Sequence, residues 1–253
     1  MRLTVVGSGT AVPDAERAAS GYFLETSGLK LLLDCGPGIV HHLARLRLDW
    51  QSLTHLLISH FHNDHIGDVP ALFFAWKWGM LPARAAPLSL LAPLGMSKKL
   101  EHMAHAMGEH LQSPGFEVVV DELDGEEKRL LGDVVHVKTL RTPHTDESIA
   151  FRIDTPAGAV GYTGDTGYSE QVSVFLSRVD WLIMECSLPE QFAIDTHLTP
   201  RRAAQMARQA NPATLIVTHV YPQLERAALP ELLLEAGWTG ETIIAYDGMV
   251  LNR

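Results

Sequence analysis

The chain is poor in cysteine, with only Cys35 and Cys186 among 253 residues. Two thiols make no disulfide framework, which excludes a small bridged scaffold. Both follow apolar, strand-like runs, so buried thiols are expected, with a thiolate metal ligand as the minor alternative. There is also no apolar run long enough to cross a bilayer. Met1–Gly7 reaches glycine before a signal peptide's apolar region could form, so a cytoplasmic protein is expected. Positive charge is scarce: 20 Lys and Arg against 30 Asp and Glu give a formal net charge of −10. A protein that grips a nucleic-acid backbone shows a basic patch. The basic clusters here are short: Arg45 with Arg47, Lys98 with Lys99, Arg201 with Arg202. Extended RNA binding is therefore not expected, nor is a membrane partner. No linker rich in Pro, Gly or Ser divides the chain, and no repeat of fixed period runs through it. One domain over residues 1–253 follows, long enough for a sizeable core.

Histidine is what the chain does carry, at 13 of its residues. His60, His62, Asp64 and His65 fall within six positions, directly after the apolar run Leu56–Ile58 and Ser59. At this frequency, three histidines in fixed slots arise about once in ten thousand starting points, before Asp64 is demanded. Imidazole and carboxylate together suit zinc, iron or manganese. On a helix, His60 and His62 would point about 200° apart. A tight loop at a strand end lets them converge, so a loop is predicted.

Leu3–Val6 reads as a first strand. Gly7-Ser8-Gly9-Thr10 follows, but Val12 stands where a dinucleotide fingerprint needs its third glycine. Tyr22–Thr26 and Leu29–Leu33 instead read as a hairpin turning on Ser27-Gly28. Ile39, His42, Leu43 and Leu46 mark a helix, Gly67–Trp78 another and Met96–Leu111 a third. His102 and His105 lie three apart on that third helix and can share a face, but no carboxylate follows to complete a metal site, so a helix near the entrance is the expected reading. Phe116–Val120 and Val134–Leu140 read as strands around a solvated acidic turn, Asp121–Glu127. Later strands are Ile149–Ile153, Val160–Thr163, Trp181–Met184, Leu215–Thr218 and Ile243–Tyr246. Thr199 and Pro200 open a helix whose buried face is Ala203, Met206, Ala207 and Ala210. One regularity links these segments: Asp34, His60, His144, Asp165, Glu185 and His219 each follow an apolar strand. Sites of layered α/β proteins collect beyond strand ends, so these residues can meet.

His60-x-His62-x-Asp64-His65 resembles the signature of the metallo-β-lactamase-fold hydrolases. The wider pattern is most similar to the branch that holds ribonuclease Z and related phosphodiesterases. This resemblance touches nearly the whole chain. It implies an α/β fold of four layers, an αββα sandwich with two sheets face to face and helices outside each. It implies two divalent metal ions, zinc first, with manganese or iron as alternatives. His60, His62 and His144 would bind one, Asp64, His65 and His219 the other, and Asp165 would bridge them. A hydroxide shared by the two ions would attack phosphorus, with Asp64 also orienting or deprotonating that water. Asp34 matches an aspartate that hydrogen-bonds the histidine loop without touching metal. From the sequence alone, an ordinary turn aspartate fits equally well. The loop 7–13 resembles the glycine-rich first loop beside the active site.

His197-Leu198-Thr199, ahead of a helix and Leu215–His219, resembles the ribonuclease Z segment with a His-Ser-Thr triplet. There the histidine contacts the scissile phosphate and protonates the leaving oxygen. A roleless histidine at a helix start is the alternative for His197. Glu185 stands in the segment where that branch carries His-Glu-Ala-Thr, and only the glutamate is kept. Ribonuclease Z also inserts a long tRNA-clamping arm between the positions matching His144 and Asp165. The short stretch between them here holds only two strands and a turn. The expected activity is therefore hydrolysis of small phosphodiesters, cyclic nucleotide-like, and the resemblance implies a homodimer. Three alternatives remain: a tRNA 3′-end endonuclease with a basic surface supplied by the partner, a lactone, thioester or ester hydrolase, and a non-catalytic metal protein of cofactor biosynthesis.

Overall fold

The computed structural model describes residues 1–253. Its first sheet takes β1 (Arg2–Gly7), β2 (Gly21–Thr26), β3 (Leu29–Leu33), β4 (His55–Leu57), β5 (Leu88–Pro93) and β6 (Val118–Leu123) in sequence order. The second takes β7 (Lys128–Leu131), β8 (Val135–Arg141), β9 (Ile149–Thr155), β10 (Gly158–Tyr162), β11 (Trp181–Glu185), β12 (Thr214–Thr218) and β13 (Glu241–Ile244). A last strand, β14 (Val250–Asn252), returns to pair with β1 in the first sheet. The helices are α1 (Ile39–Arg45), α2 (Asn63–Ile66), α3 (Val69–Trp78), α4 (Met96–Met107), α5 (Glu170–Phe175), α6 (Pro200–Ala210) and α7 (Leu229–Glu235).

Strand periodicity sets the layers. Leu31 and Leu33 face one side of β3 and Leu32 the other. Leu31, Leu33 and Leu57 pack with Val137, Phe151, Ile183 and Ile216 of the second sheet. Leu32 and Leu56 pack outward on Ile39, Leu43, Phe73 and Trp76. On the far side, Leu182 and Leu215 meet Ala203, Met206, Ala207 and Leu233. Three cores thus separate helices, sheet, sheet and helices, the expected αββα sandwich. Because both faces of each sheet are covered, central strands read as continuous apolar runs. No helix is long and apolar enough to cross a membrane.

Several local expectations change in the structure. The hairpin of β2 and β3 does turn on Ser27 and Gly28, both at positive φ. The segment 60–65 is a loop only as far as His62. Asn63–Ile66 then forms one helical turn, which carries Asp64 and His65. The helix read from Gly67 starts at Val69, and that read to Leu111 ends at Met107, where Gly108 breaks it at φ 117. The acidic segment is not a solvated hairpin tip. It crosses from the edge of one sheet to the edge of the other, and all of its carboxylates but that of Glu126 are paired. Glu122 accepts from the amides of Gly95 and Ser97 at 3.0 and 2.7 Å, and Asp121 from Arg129 at 2.6 and 2.9 Å.

Candidate metal centre

β3 to β6 run parallel in the first sheet, and β10 to β13 in the second. Their carboxyl ends therefore open at one edge. Asp34 follows β3 and His60 lies just beyond β4. Asp165 lies beyond β10, Glu185 ends β11, and His219 follows β12. β8 is antiparallel to β9, which is antiparallel to β10, so His144 emerges at the same edge. Gly164 makes this convergence possible: it sits at φ +56, and a Cβ there would meet the Ser59 side chain at 2.7 Å.

The side chains meet in two groups, His60, His62, His144 and Asp165 in one and Asp64, His65 and His219 in the other. Within each group the potential ligand atoms lie within 4.8 Å of one another. Asp165 spans them. Its Oδ2 lies 3.7 Å from Nε2 of both His60 and His144. Its Oδ1 lies 3.3 Å from Nε2 of His65 and 3.5 Å from that of His219. Asp64 Oδ2 is 3.2 Å from His219 Nε2, and His62 Nδ1 is 3.0 Å from His144 Nε2.

Whether a metal suits this set is decided by what the ring nitrogens lack. Nε2 of His60 and of His65 are both buried with no hydrogen-bond partner. Native interiors seldom leave such atoms unpaired, and a cation held in each group would give both nitrogens a partner. In four of the rings the opposite nitrogen is held from behind. Nδ1 of His60 meets Ser59 Oγ at 3.0 Å, that of His65 meets Asp34 at 2.7 Å, and that of His144 meets the Thr196 carbonyl at 3.0 Å. Nδ1 of His219 meets Ser187 Oγ at 3.1 Å. These contacts turn each Nε2 inward. Burial disfavours charge on Asp165, but His219, His65 and His60 outweigh it and hold the carboxyl well below its usual range. Burial pushes the His60 and His144 rings towards neutrality, the form that ligates metal.

The family model described as the beta-lactamase superfamily domain matches residues 30–220. The chain belongs to the beta-lactamase superfamily. It is 26% identical to ribonuclease Z of Haloarcula marismortui over 305 aligned residues, which cover 98% of this chain and 96% of that one. It is equally 26% identical to the probable metallo-hydrolase YhfI of Bacillus subtilis over 99% of both chains. The crystal structure of YhfI matches with a TM-score of 0.84 at 24% identity, covering 99% of this chain and 98% of that one. That of the short form of human tRNase Z matches with 0.80 at 23%, covering 100% and 99%. The chain is a hydrolase of the metallo-β-lactamase fold.

Asp34 lies behind the superfamily's histidine loop, fully buried and at φ 57. Oδ1 accepts from the Ser59 amide at 2.7 Å. Oδ2 accepts from Ser59 Oγ at 2.7 Å and from the Tyr162 hydroxyl at 2.5 Å, and meets His65 Nδ1. It therefore touches three partners of the centre and none of its inward-facing atoms. An asparagine retains one accepting oxygen for these donors. Asp34→Asn is expected to keep the fold and lower metal affinity or turnover by roughly 10–100-fold. Metal titration and turnover identical to wild type would leave Asp34 only a turn residue.

His197, half-buried, lies beside both Asp165 and His219, its ligand-type atom within 4.8 Å of theirs. Its Nδ1 is 2.8 Å from Oε1 of the buried Glu185. Glu185 is itself fixed, by the Thr166 amide at 2.8 Å, Ser187 Oγ at 2.6 Å and the Leu198 amide at 3.1 Å. Burial opposes a charge on His197, but the hydrogen bond and charge of Glu185 raise its pKa to about 9. Cations in the adjacent groups would lower it.

Some supporting residues escape sequence reasoning. Tyr162 reaches Asp34 from a strand position that looks like core. Asp247 accepts from the Ser8 amide at 2.9 Å, Ser8 Oγ at 2.8 Å and the Ala18 amide at 2.7 Å, and lies 3.1 Å from His42 Nδ1. It thereby pins both ends of the loop 8–18, which lines a cavity of about 490 Å³ against Asn63 and Asp64. Asp247-Gly248 offers no signal beyond that of a turn. His102 and His105 are exposed on α4 and join neither group. Cys35 and Cys186 are free and buried, burial raises both thiols, and neither sulfur is in the cluster.

Proposed function

We propose that this chain is a metal-dependent phosphodiesterase acting on small phosphodiesters, cyclic nucleotides among them. The observation that carries the reading is the Glu185–His197 pair set against Asp165 and His219. Cleaving a P–O bond expels an alkoxide that needs a proton. His197 stands at the edge of the centre with Nδ1 tied to Glu185, whose charge favours the protonated ring and leaves Nε2 to donate.

In this reading His60, His62 and His144 hold one divalent cation, Asp64, His65 and His219 hold another, and Asp165 serves both. Zinc suits the donors first, manganese or iron next. When bound, such cations bring the pKa of water towards neutrality and offset charge developing on phosphoryl oxygen. Asp64 takes up the proton of the attacking water. His197 gives its Nε2 proton to the leaving oxygen, and Glu185 keeps the neutral ring in the Nδ1–H tautomer afterwards.

Substrate size rests on the stretch between His144 and Asp165. It is the hairpin of β9 and β10, joined through Pro156 and Ala157. The alignment with the archaeal ribonuclease Z runs to 305 positions, more than this chain's 253 residues, so that relative has segments without a counterpart here. The second reading, a tRNA 3′-end endonuclease, is favoured by the relatives named ribonuclease Z. It requires a homodimer partner to supply the basic surface this chain lacks. Metal-loaded protein is to be tested against bis(p-nitrophenyl) phosphate, cyclic mononucleotides, a lactone panel and precursor tRNA. Turnover of the diesters is expected, with slow cleavage of the tRNA at most. Lactone turnover without diester turnover would overturn the reading. Efficient single-site cleavage of the tRNA would put the endonuclease in its place.

A further inference from the structure

Two cavities flank the centre, and their charges differ. The one beside Asp64 contains Arg17, but that guanidinium is already engaged. Its Nε and Nη2 meet Asp14 Oδ2 at 2.9 and 2.8 Å, and its Nη1 donates to the Val220 carbonyl at 3.1 Å. The other cavity, of about 400 Å³, opens between Phe61, Gly95 and the exposed side chains of Lys98, Lys99 and His102 on α4. Lys30, Lys77 and Lys138 each have a carboxylate partner; Lys98 and Lys99 have none. Lys99 Nζ lies 5.4 Å from the centre of the Phe61 ring. In a chain of net charge −10, two adjacent unpaired ammonium groups at a cavity are a local reversal of sign.

The walls connect this cavity to the centre. Phe61 stands between His60 and His62. Glu147, which also lines the cavity, is three residues beyond His144. The loops that bring His60, His62 and His144 together therefore also form the pocket.

We propose that this pocket binds a second phosphate group, carried by the larger substituent of the substrate. The proposal rests on the phosphodiesterase reading and narrows it: nucleotide substrates with two phosphoryl groups bind better than those with one. The phosphate lies against the lysines and away from the Glu147 carboxylate, which repels it. Phe61 offers its ring to the sugar or base between the two phosphates.

The test compares binding of thymidine 5′-monophosphate and thymidine 3′,5′-bisphosphate to the metal-loaded protein by calorimetry. Wild type is expected to bind the bisphosphate about tenfold tighter, the order of two exposed ion pairs. Raising the salt should shrink that preference. Lys98→Ala/Lys99→Ala should abolish the preference with metal content unchanged, since both residues lie on the surface. Lys98→Arg/Lys99→Arg should retain it, and Glu147→Gln should increase it. Equal affinities in wild type, or a preference that survives the double alanine change, would overturn the pocket assignment. Turnover of bis(p-nitrophenyl) phosphate, which has a single phosphate, tests the phosphodiesterase reading separately. Should that turnover be absent, the binding comparison still decides the pocket.

Discussion

Asp165→Ala is expected to deplete both halves of the centre at once. The two oxygens of this carboxylate face different imidazole pairs, His60 with His144 and His65 with His219. No other side chain of the cluster belongs to both halves in this way. Removing it takes away the carboxylate paired with His60 and leaves Asp64 as the only carboxylate facing the inward Nε2 atoms of His65 and His219. Wild type purified without chelator should carry two transition-metal ions per chain. The variant should carry well under one of each, and turnover should fall at least roughly 10²–10³-fold, the order of losing one preorganised electrostatic group. His62→Ala makes the contrast. His62 is exposed and serves only the group with His60 and His144, so one ion should remain. Elemental analysis that finds a single tight ion in wild type, unchanged by Asp165→Ala, would remove the bridging role.

The layered fold and the edge that bears the site were legible for a common reason. Leu31–Leu33, Leu56–Ile58 and Leu215–Val217 are apolar without alternation because both faces of their sheets are covered. A polar residue directly after such a run stands where parallel strands deliver it to one edge. Asp34, His60, Asp165, Glu185 and His219 could be picked out on that ground. What stayed hidden depends on contacts far apart in sequence. Tyr162 meets Asp34 across 128 positions and Asp247 meets Ser8 across 239, and neither residue differs locally from a core tyrosine or a turn aspartate. β7 and β14 are short edge strands, and Lys128-Arg129 or Asn252 carry little strand character. α5 spans six residues, too few to show a helical period. The His60–His62 spacing excludes a helix across those two residues, which points to a loop for Asp64 and His65 as well. One helical turn starting just after His62 satisfies both constraints.

His197→Ala is expected to separate substrates by their leaving groups. A nitrophenolate leaves without help, whereas a sugar or alkyl alkoxide is basic enough to need a proton in the transition state. A positioned general acid contributes roughly 10²–10⁴-fold where that need is large. The variant should therefore lose about that much on alkyl and nucleoside diesters and less than about tenfold on bis(p-nitrophenyl) phosphate. Both metals should stay bound, because the two groups His60, His62, His144, Asp165 and Asp64, His65, His219 are complete without His197. Glu185→Gln provides the finer test. It keeps an acceptor near Nδ1 but removes the charge that raises the His197 pKa to about 9. With a less basic ring, the alkaline limb of the rate profile on poor leaving groups should move to lower pH, while the nitrophenyl diester is little changed. Equal losses on good and poor leaving groups in His197→Ala would remove the acid role. The ring would then serve to bind phosphate, because a contact made to the phosphoryl oxygens is lost to the same extent whichever group departs.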